Sequence, residues 1–295
     1  MLGASAGFAL MSTCVAAAHV RSPDTHTLLS SGVRAVVNLL ALVAITRGNT
    51  TLLVGDGRTA LWTRGVTGAA SLLLYFAAIE HTTAGEAAFL NNTSAFWVAA
   101  LAPILLREAT GGSTWIAIGG SILGTALLGW PRADAGASDW FGRACGLTSG
   151  LTAAIAYLSV RRASATNAPT VIVFYFTLLA TLACAVGLPF VDAGWPRDRV
   201  TWVLLVLAGL FATVAQVLMT AAYAMGPAAP LAAAAAATPL FTTGLAVLFL
   251  GQVPDAMAIA GMVVLTASGV GLPLLAATQG PRNAENAGGG GRNEG

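Results

Sequence analysis

Ten predominantly apolar stretches, most of them about twenty residues long, follow one another along the chain with only short polar breaks between them. They run over about 3–20, 27–47, 59–80, 84–106, 113–130, 141–161, 168–190, 200–224, 228–250 and 254–276. A bilayer core is crossed by ~20 apolar residues, and only a helix or a closed barrel satisfies its own backbone hydrogen bonds there. The breaks hold turn formers such as Ser22-Pro23-Asp24, Gly55-Asp56-Gly57, Gly111-Gly112 and Gly194-Trp195-Pro196. Composition agrees: 56 % of residues are apolar and 9 % charged, where a soluble domain carries roughly 25 % charge. The chain reads as an all-α polytopic membrane protein with ten transmembrane helices. Ala16-Ala17-Ala18 resembles a signal-peptide cleavage site, but no basic segment precedes it and more membrane follows. The first run is therefore read as a retained helix. Residues 278–295 are Gly- and Asn-rich and read as a disordered polar tail.

The stretch from Tyr75 to Glu108 returns, in outline, from Met219 to Gln252. Each is an apolar hairpin turned at a glycine, Gly85 in one and Gly226-Pro227 in the other. Ser94-Ala95-Phe96-Trp97 corresponds to Thr238-Pro239-Leu240-Phe241, and Leu106-Arg107-Glu108 to Leu250-Gly251-Gln252. The offset is constant at about 144 residues, the signature of an internal repeat. Ten spans in two copies give five per copy, and an odd number threads the second copy through the bilayer in the opposite sense. The division is residues 1–137 and 138–277, two inverted five-helix repeats, an architecture that places a binding site at mid-membrane between them.

The paired [ST]-x-[FL]-[WF] elements, the Leu-x-[EQ] endings, Arg34 inside the second span and Tyr157-Leu158-Ser159-Val160-Arg161-Arg162 closing the sixth together resemble the EamA repeat of the drug/metabolite transporter superfamily, over about residues 3–276. Ala95, Gln252 and Met11 depart from the residues usual in that family: proline, glutamate and tryptophan respectively. The resemblance implies a ten-helix exporter of small metabolites, most simply of aromatic or other apolar amino acids, by alternating access through a central cavity. The same fold also admits a multidrug or organic-cation exporter. It implies a small-molecule substrate, the lipid bilayer as surroundings, no cofactor and a monomer. The lysine-free, alanine-rich composition fits a high-GC bacterium, hence a bacterial inner membrane.

A charge at mid-bilayer costs at least ~2.5–3.5 kcal/mol, so polar groups inside the spans are the candidates for function. Arg34 reads either as a clamp for a substrate carboxylate or as a structural arginine that snorkels or binds carbonyls. Glu86 opens the fourth span, where a carboxylate caps the helix dipole or, if buried, couples a proton. Glu80 and His81 stand at the turn as a gate or a solvated pair. Gly85, Gly226 and Pro227 are hinge candidates at the hairpin tips. Asn91, Asn92, Thr93 and Ser94 form a polar band that lines a cavity or bonds neighbouring helices; four consecutive helical residues cannot share one face. The expected cavity wall is Met11, Tyr75, Leu90, Asn91, Ser94, Trp97, Tyr157, Met219, Tyr223 and Thr238, an apolar and aromatic surface with a few amides and hydroxyls. Gly142, Gly146 and Gly150, with Gly120 and Gly124, read as close helix packing.

Other classes fit poorly. The net charge of +2 is spread over arginines with no basic run for nucleic acid. Cys14, Cys145 and Cys184 lie far apart in apolar segments, and His19, His26 and His81 have no helical metal-ligand spacing. A membrane-embedded enzyme would need clustered acids, histidines or ligands, and a channel a charged ring or a carbonyl filter. With the N-terminus inside, eight arginines flank the inner face and five the outer. Both termini are therefore expected to be cytoplasmic.

Overall fold

The apolar runs fold as helices whose ends are set by local chemistry. In the computed structural model, residues 1–82, 84–128, 140–235, 237–250 and 256–271 are described. The helices are α1 (Leu2–Arg21), α2 (Thr27–Ile45), the short α3 (Thr51–Val54), α4 (Thr59–His81), α5 (Ala84–Asn92), α6 (Ser94–Leu106), α7 (Gly112–Leu128), α8 (Trp140–Ala163), α9 (Pro169–Gly187), α10 (Arg199–Met225), α11 (Ala228–Ala235), α12 (Ala237–Leu250) and α13 (Ala256–Leu265), the last continued by a π-helical turn, Thr266–Gly271. Taking α5 with α6, α11 with α12, and α13 with its π turn, these form ten span-length units, with α3 in the loop before the third. Among the described residues there is no strand.

Caps follow the sequence. The His26 ring accepts from Leu28 N at 3.1 Å to start α2, and Asp198 Oδ1 accepts from Val200 N at 3.1 Å to start α10. Pro169 opens α9, where its missing N–H costs nothing. The fourth unit is interrupted at Thr93, whose hydroxyl donates to Leu90 O at 2.6 Å, a local bond that competes with the helix ladder.

The packing repeats between halves. α4 packs on α8 and α9, while α10 packs on α1 and α2. α8 packs on α5 and α6, while α1 packs on α12; α2 meets α9, α6 meets α11, and α7 meets α13. Exchanging units one to five with six to ten maps each of these pairs onto another or onto itself, an approximate two-fold.

α4 and α8 fall outside the six segments that are long and apolar enough to cross a membrane by themselves. Their small and polar residues face each other. A Cβ on Gly146 would come within 2.8 Å of the Leu90 side chain, and one on Gly150 within 2.9 Å of Leu90 O. The α8 glycine stripe therefore seats the fourth unit directly against α8, as the sequence spacing suggests. Gly120 and Gly124 do the same for α7 against α13 and its π turn, meeting Ser268 and Leu265. Cys14, Cys145 and Cys184 form no disulfide.

Candidate functional site

Between the two halves lies a cavity of about 740 Å³. It takes side chains from α1, α4, α5, α6, α7, α8, α10, α11 and α12. Met11, Tyr75, Asn91, Ser94, Tyr157, Met219, Tyr223 and Thr238 of the expected wall all line it. Leu90 and Trp97 do not. Leu90 is turned toward Gly146 of α8, and Trp97 packs beside the main buried cluster with its ring 5.3 Å from Phe96. Ser94 borders the cavity although Trp97, three residues further along α6, does not.

The polar band does both things weighed for it. Asn91 Nδ2 donates to Ser149 Oγ on α8 at 2.9 Å, and Asn92 Nδ2 to Thr125 Oγ1 on α7 at 2.7 Å. Asn91, Asn92 and Ser94 nevertheless border the cavity, while Thr93 faces α8 near Gly150. Interhelical bonds fix these amides, leaving oriented polar edges on an otherwise apolar wall. Tyr157 of α8 and Tyr223 of α10, both from the second half, stack with ring centroids 5.8 Å apart and planes 13° from parallel.

Two arginines stand behind this wall. Arg34 Nη1 donates to Met11 Sδ at 3.2 Å, and its charge reaches Tyr75; both partners line the cavity. Arg64, counted among the inner flanks in the sequence, is instead 3 % exposed inside α4. Its Nη2 donates to Gln216 Oε1 at 3.2 Å, and its guanidinium lies 4.3 Å from the centroid of the Phe176 ring. Gln216 borders the cavity. Sequence reasoning missed it, although 216, 219 and 223 share one face of α10, with Met219 and Tyr223 already singled out. Among the described residues the cavity lining contains no aspartate or glutamate.

Near one end of the cavity, next to the lining residue Tyr223, lies a charge network. Glu108, just past α6, pairs with Arg161 near the end of α8 at 2.8 Å, both side chains about three-quarters buried. Arg161 Nη1 also donates to Tyr223 O and Ala224 O, each at 3.1 Å, near the C-terminus of α10. Glu108 Oε2 accepts from Ala228 N at 2.8 Å, at the N-terminus of α11. A cation thus caps one helix C-terminus and an anion one N-terminus, as the helix dipoles favour. Gly226 and Pro227 lie between the residues so held. Arg162 adds a bond to Leu105 O. Behind this network sits the largest buried cluster, including Val98, Leu158, Ile172, Tyr223 and Ala233.

At the other end, a Cβ on Gly142 would come within 2.6 Å of His81 Cβ and 2.7 Å of Thr82 Cγ2. The His81 ring packs edge-on against Phe141 at 5.1 Å. Glu80, Gly85 and Glu86 belong to helical backbone here, and their side-chain surroundings lie outside the described residues.

Each end also carries an aspartate strap. Asp56 accepts from the Thr166 hydroxyl at 2.6 Å, and Asp198 from Arg21 Nε at 2.8 Å. Both loops connect a span to the start of α4 or α10, the equivalent helices of the two halves. The Thr166 bond holds the Asp56 carboxyl below its ordinary range, and the Arg21 bond does so for Asp198.

A helical bundle with packing repeated between its halves and a polar-edged cavity between them has the build of a membrane transporter. The chain belongs to the EamA-like transporter family, whose model matches residues 1–130 and 140–272. It is accordingly a multi-pass membrane transporter and not an enzyme. It is similar to the pseudopaline exporter CntI of Pseudomonas aeruginosa strain UCBPP-PA14, 29 % identical over 269 residues, 91 % of this chain and 93 % of the relative. The same figures hold for that protein in strain PAO1. A solved crystal structure superposes with a TM-score of 0.77 over 95 % of this chain and 98 % of its own, at 17 % identity, a likeness of fold.

Proposed function

We propose that this protein is a secondary exporter of amino acids or closely related metabolites, working by alternating access as a monomer in a bacterial inner membrane. In this reading the repeats 1–137 and 138–277 rock against each other, and the termini and the Glu108 end face the cytoplasm. The observation that carries it is the cavity itself. Its wall combines Phe8, Met11, Met219 and tyrosine rings with fixed amides and hydroxyls, which suits a small molecule with an apolar body and polar ends. The name of the Pseudomonas relative, an exporter, supports the direction.

The organic-cation alternative wants an acid in the cavity, and the candidate acid, Glu86, has its side chain outside the described residues; the amino-acid reading is favoured by Arg34 and Arg64, which stand behind the described wall. Counterflow into proteoliposomes preloaded with single compounds tests the reading. Uptake against apolar amino acids, exceeding that against organic cations, is the expected result; exchange of cations alone would contradict it.

A further inference from the structure

Arg64 is a buried cation for which the described protein supplies no counter-ion. Its side chain is 3 % exposed, it forms no ion pair among the described residues, and its Nε has no hydrogen-bond partner. A charge removed from water is ordinarily paired or fully hydrogen-bonded, and inside a membrane its retention marks function. Arg64 has one hydrogen bond, to the Gln216 carboxamide oxygen at 3.2 Å. That bond fixes the amide: an arginine is donor only, so Gln216 turns its oxygen to Arg64 and keeps its NH2 for the cavity it borders. Two helical turns further along the same face of α10, the Tyr223 hydroxyl is buried without a partner, and the Arg64 charge reaches both Tyr157 and Tyr223.

Two donors, the Gln216 NH2 and the Tyr223 hydroxyl, thus stand on cavity-lining residues with a positive charge directly behind one of them. A carboxylate offers two oxygens and the missing negative charge. We propose that Gln216 and Tyr223, backed by Arg64, form the subsite that recognises a substrate carboxylate, and that this subsite selects monocarboxylates with an apolar body. Gln216 and Tyr223 touch the substrate; Arg64 is a positioning residue that orients the amide and supplies the field. The inference deepens the transport reading and rests on it for the identity of the cavity.

The test uses three probes with one apolar body and different heads: phenylacetate, phenylacetamide and phenethylamine. Thermal unfolding of the purified full chain is followed with each. Phenylacetate is expected to raise the unfolding temperature of the unaltered protein, and the other two to leave it in place. Gln216→Glu sets a carboxylate against Arg64 from within and is expected to lose the phenylacetate shift without unfolding earlier than the unaltered protein. Arg64→Gln, which removes the charge and frees the amide to rotate, is expected to lose it too, so either variant suffices should the other fail to fold. An equal response to all three probes, including none, overturns the inference, as does a phenylacetate shift that survives in a folded variant. Counterflow separates this from the wider reading. Export of amino acids with no preference for the carboxylate over the amide or amine removes the subsite and leaves the exporter. Selective phenylacetate stabilisation without any counterflow keeps the subsite and removes the exporter.

Discussion

At the two ends of the cavity the described residues show a polar network in one place and a close glycine seam in the other. At the Glu108 end the described residues show charge: one ion pair, two capped carbonyls and one capped amide join the ends of α6, α8 and α10 to the start of α11. At the His81 end they show contact: Gly142 brings α8 so close to α4 that a single methyl would collide with His81 and Thr82. A polar network of this kind is directional and separates as a unit, whereas a glycine seam is lost gradually as surfaces slide apart. The helix pairings repeat between the halves, while the described contacts at the two ends differ.

That contrast can be broken at either end. The largest effect is expected from wedging the contact end. Gly142→Leu overpacks a seam that includes backbone of His81 at 3.0 Å, costing about 2–3 kcal/mol. It should lower the unfolding temperature and reduce labelling of an Ala229→Cys probe at the Glu108 end. Gly119→Leu is the control, as nothing lies within 4 Å of its Cβ position, and it should be nearly silent. Next comes Arg161→Ala, which leaves the partly buried Glu108 and two helix-end carbonyls without their cation, about 2 kcal/mol after allowing for solvent at the pair. Its expected signature is the reverse, increased labelling at Ala229→Cys. A smaller effect, a slight fall in unfolding temperature, is expected from Arg21→Ala, since its pair with Asp198 is exposed to solvent.

The smallest concerns pH. Asp56 and Asp198 are both held below the ordinary aspartate range by bonds of the folded state. A depressed carboxyl contributes stability that is present above its unfolded pKa, about 3.9, and lost as pH falls through the lower folded value. Unfolding temperature should thus be insensitive to these groups at neutral pH and fall below about pH 4. Asp56→Asn with Asp198→Asn should flatten that acid limb.

The course of the helices was legible in the sequence because lipid leaves so little choice. Spans read from apolar runs match the observed helices to within three residues wherever their ends are described. Eight of ten expected wall residues border the cavity, since helical spacing and the repeat place them together. Leu90 and Trp97 instead meet Gly146 of α8 and Phe96, tertiary contacts that no local spacing shows. Arg64 resembled a flanking arginine, being six residues into its helix; only the tertiary packing of α4 on α9 shows that it is buried. Glu108 was visible as part of a repeated ending, but its partner lies fifty-three residues away and no local pattern links them.

The central claim is that the two ends open in turn, one closing as the other parts. It is tested most directly by single cysteines at Ala229, by the Glu108 end, and Ala87, by the His81 end, each in a background lacking Cys14, Cys145 and Cys184. Both positions are buried here, at 3 % and 0 % exposure. Labelling by a small maleimide is compared with and without Arg161→Ala. Labelling that rises at Ala229→Cys while it falls at Ala87→Cys is what the account predicts; rates that rise together, or an Ala87→Cys rate indifferent to the loss of Arg161, would contradict it.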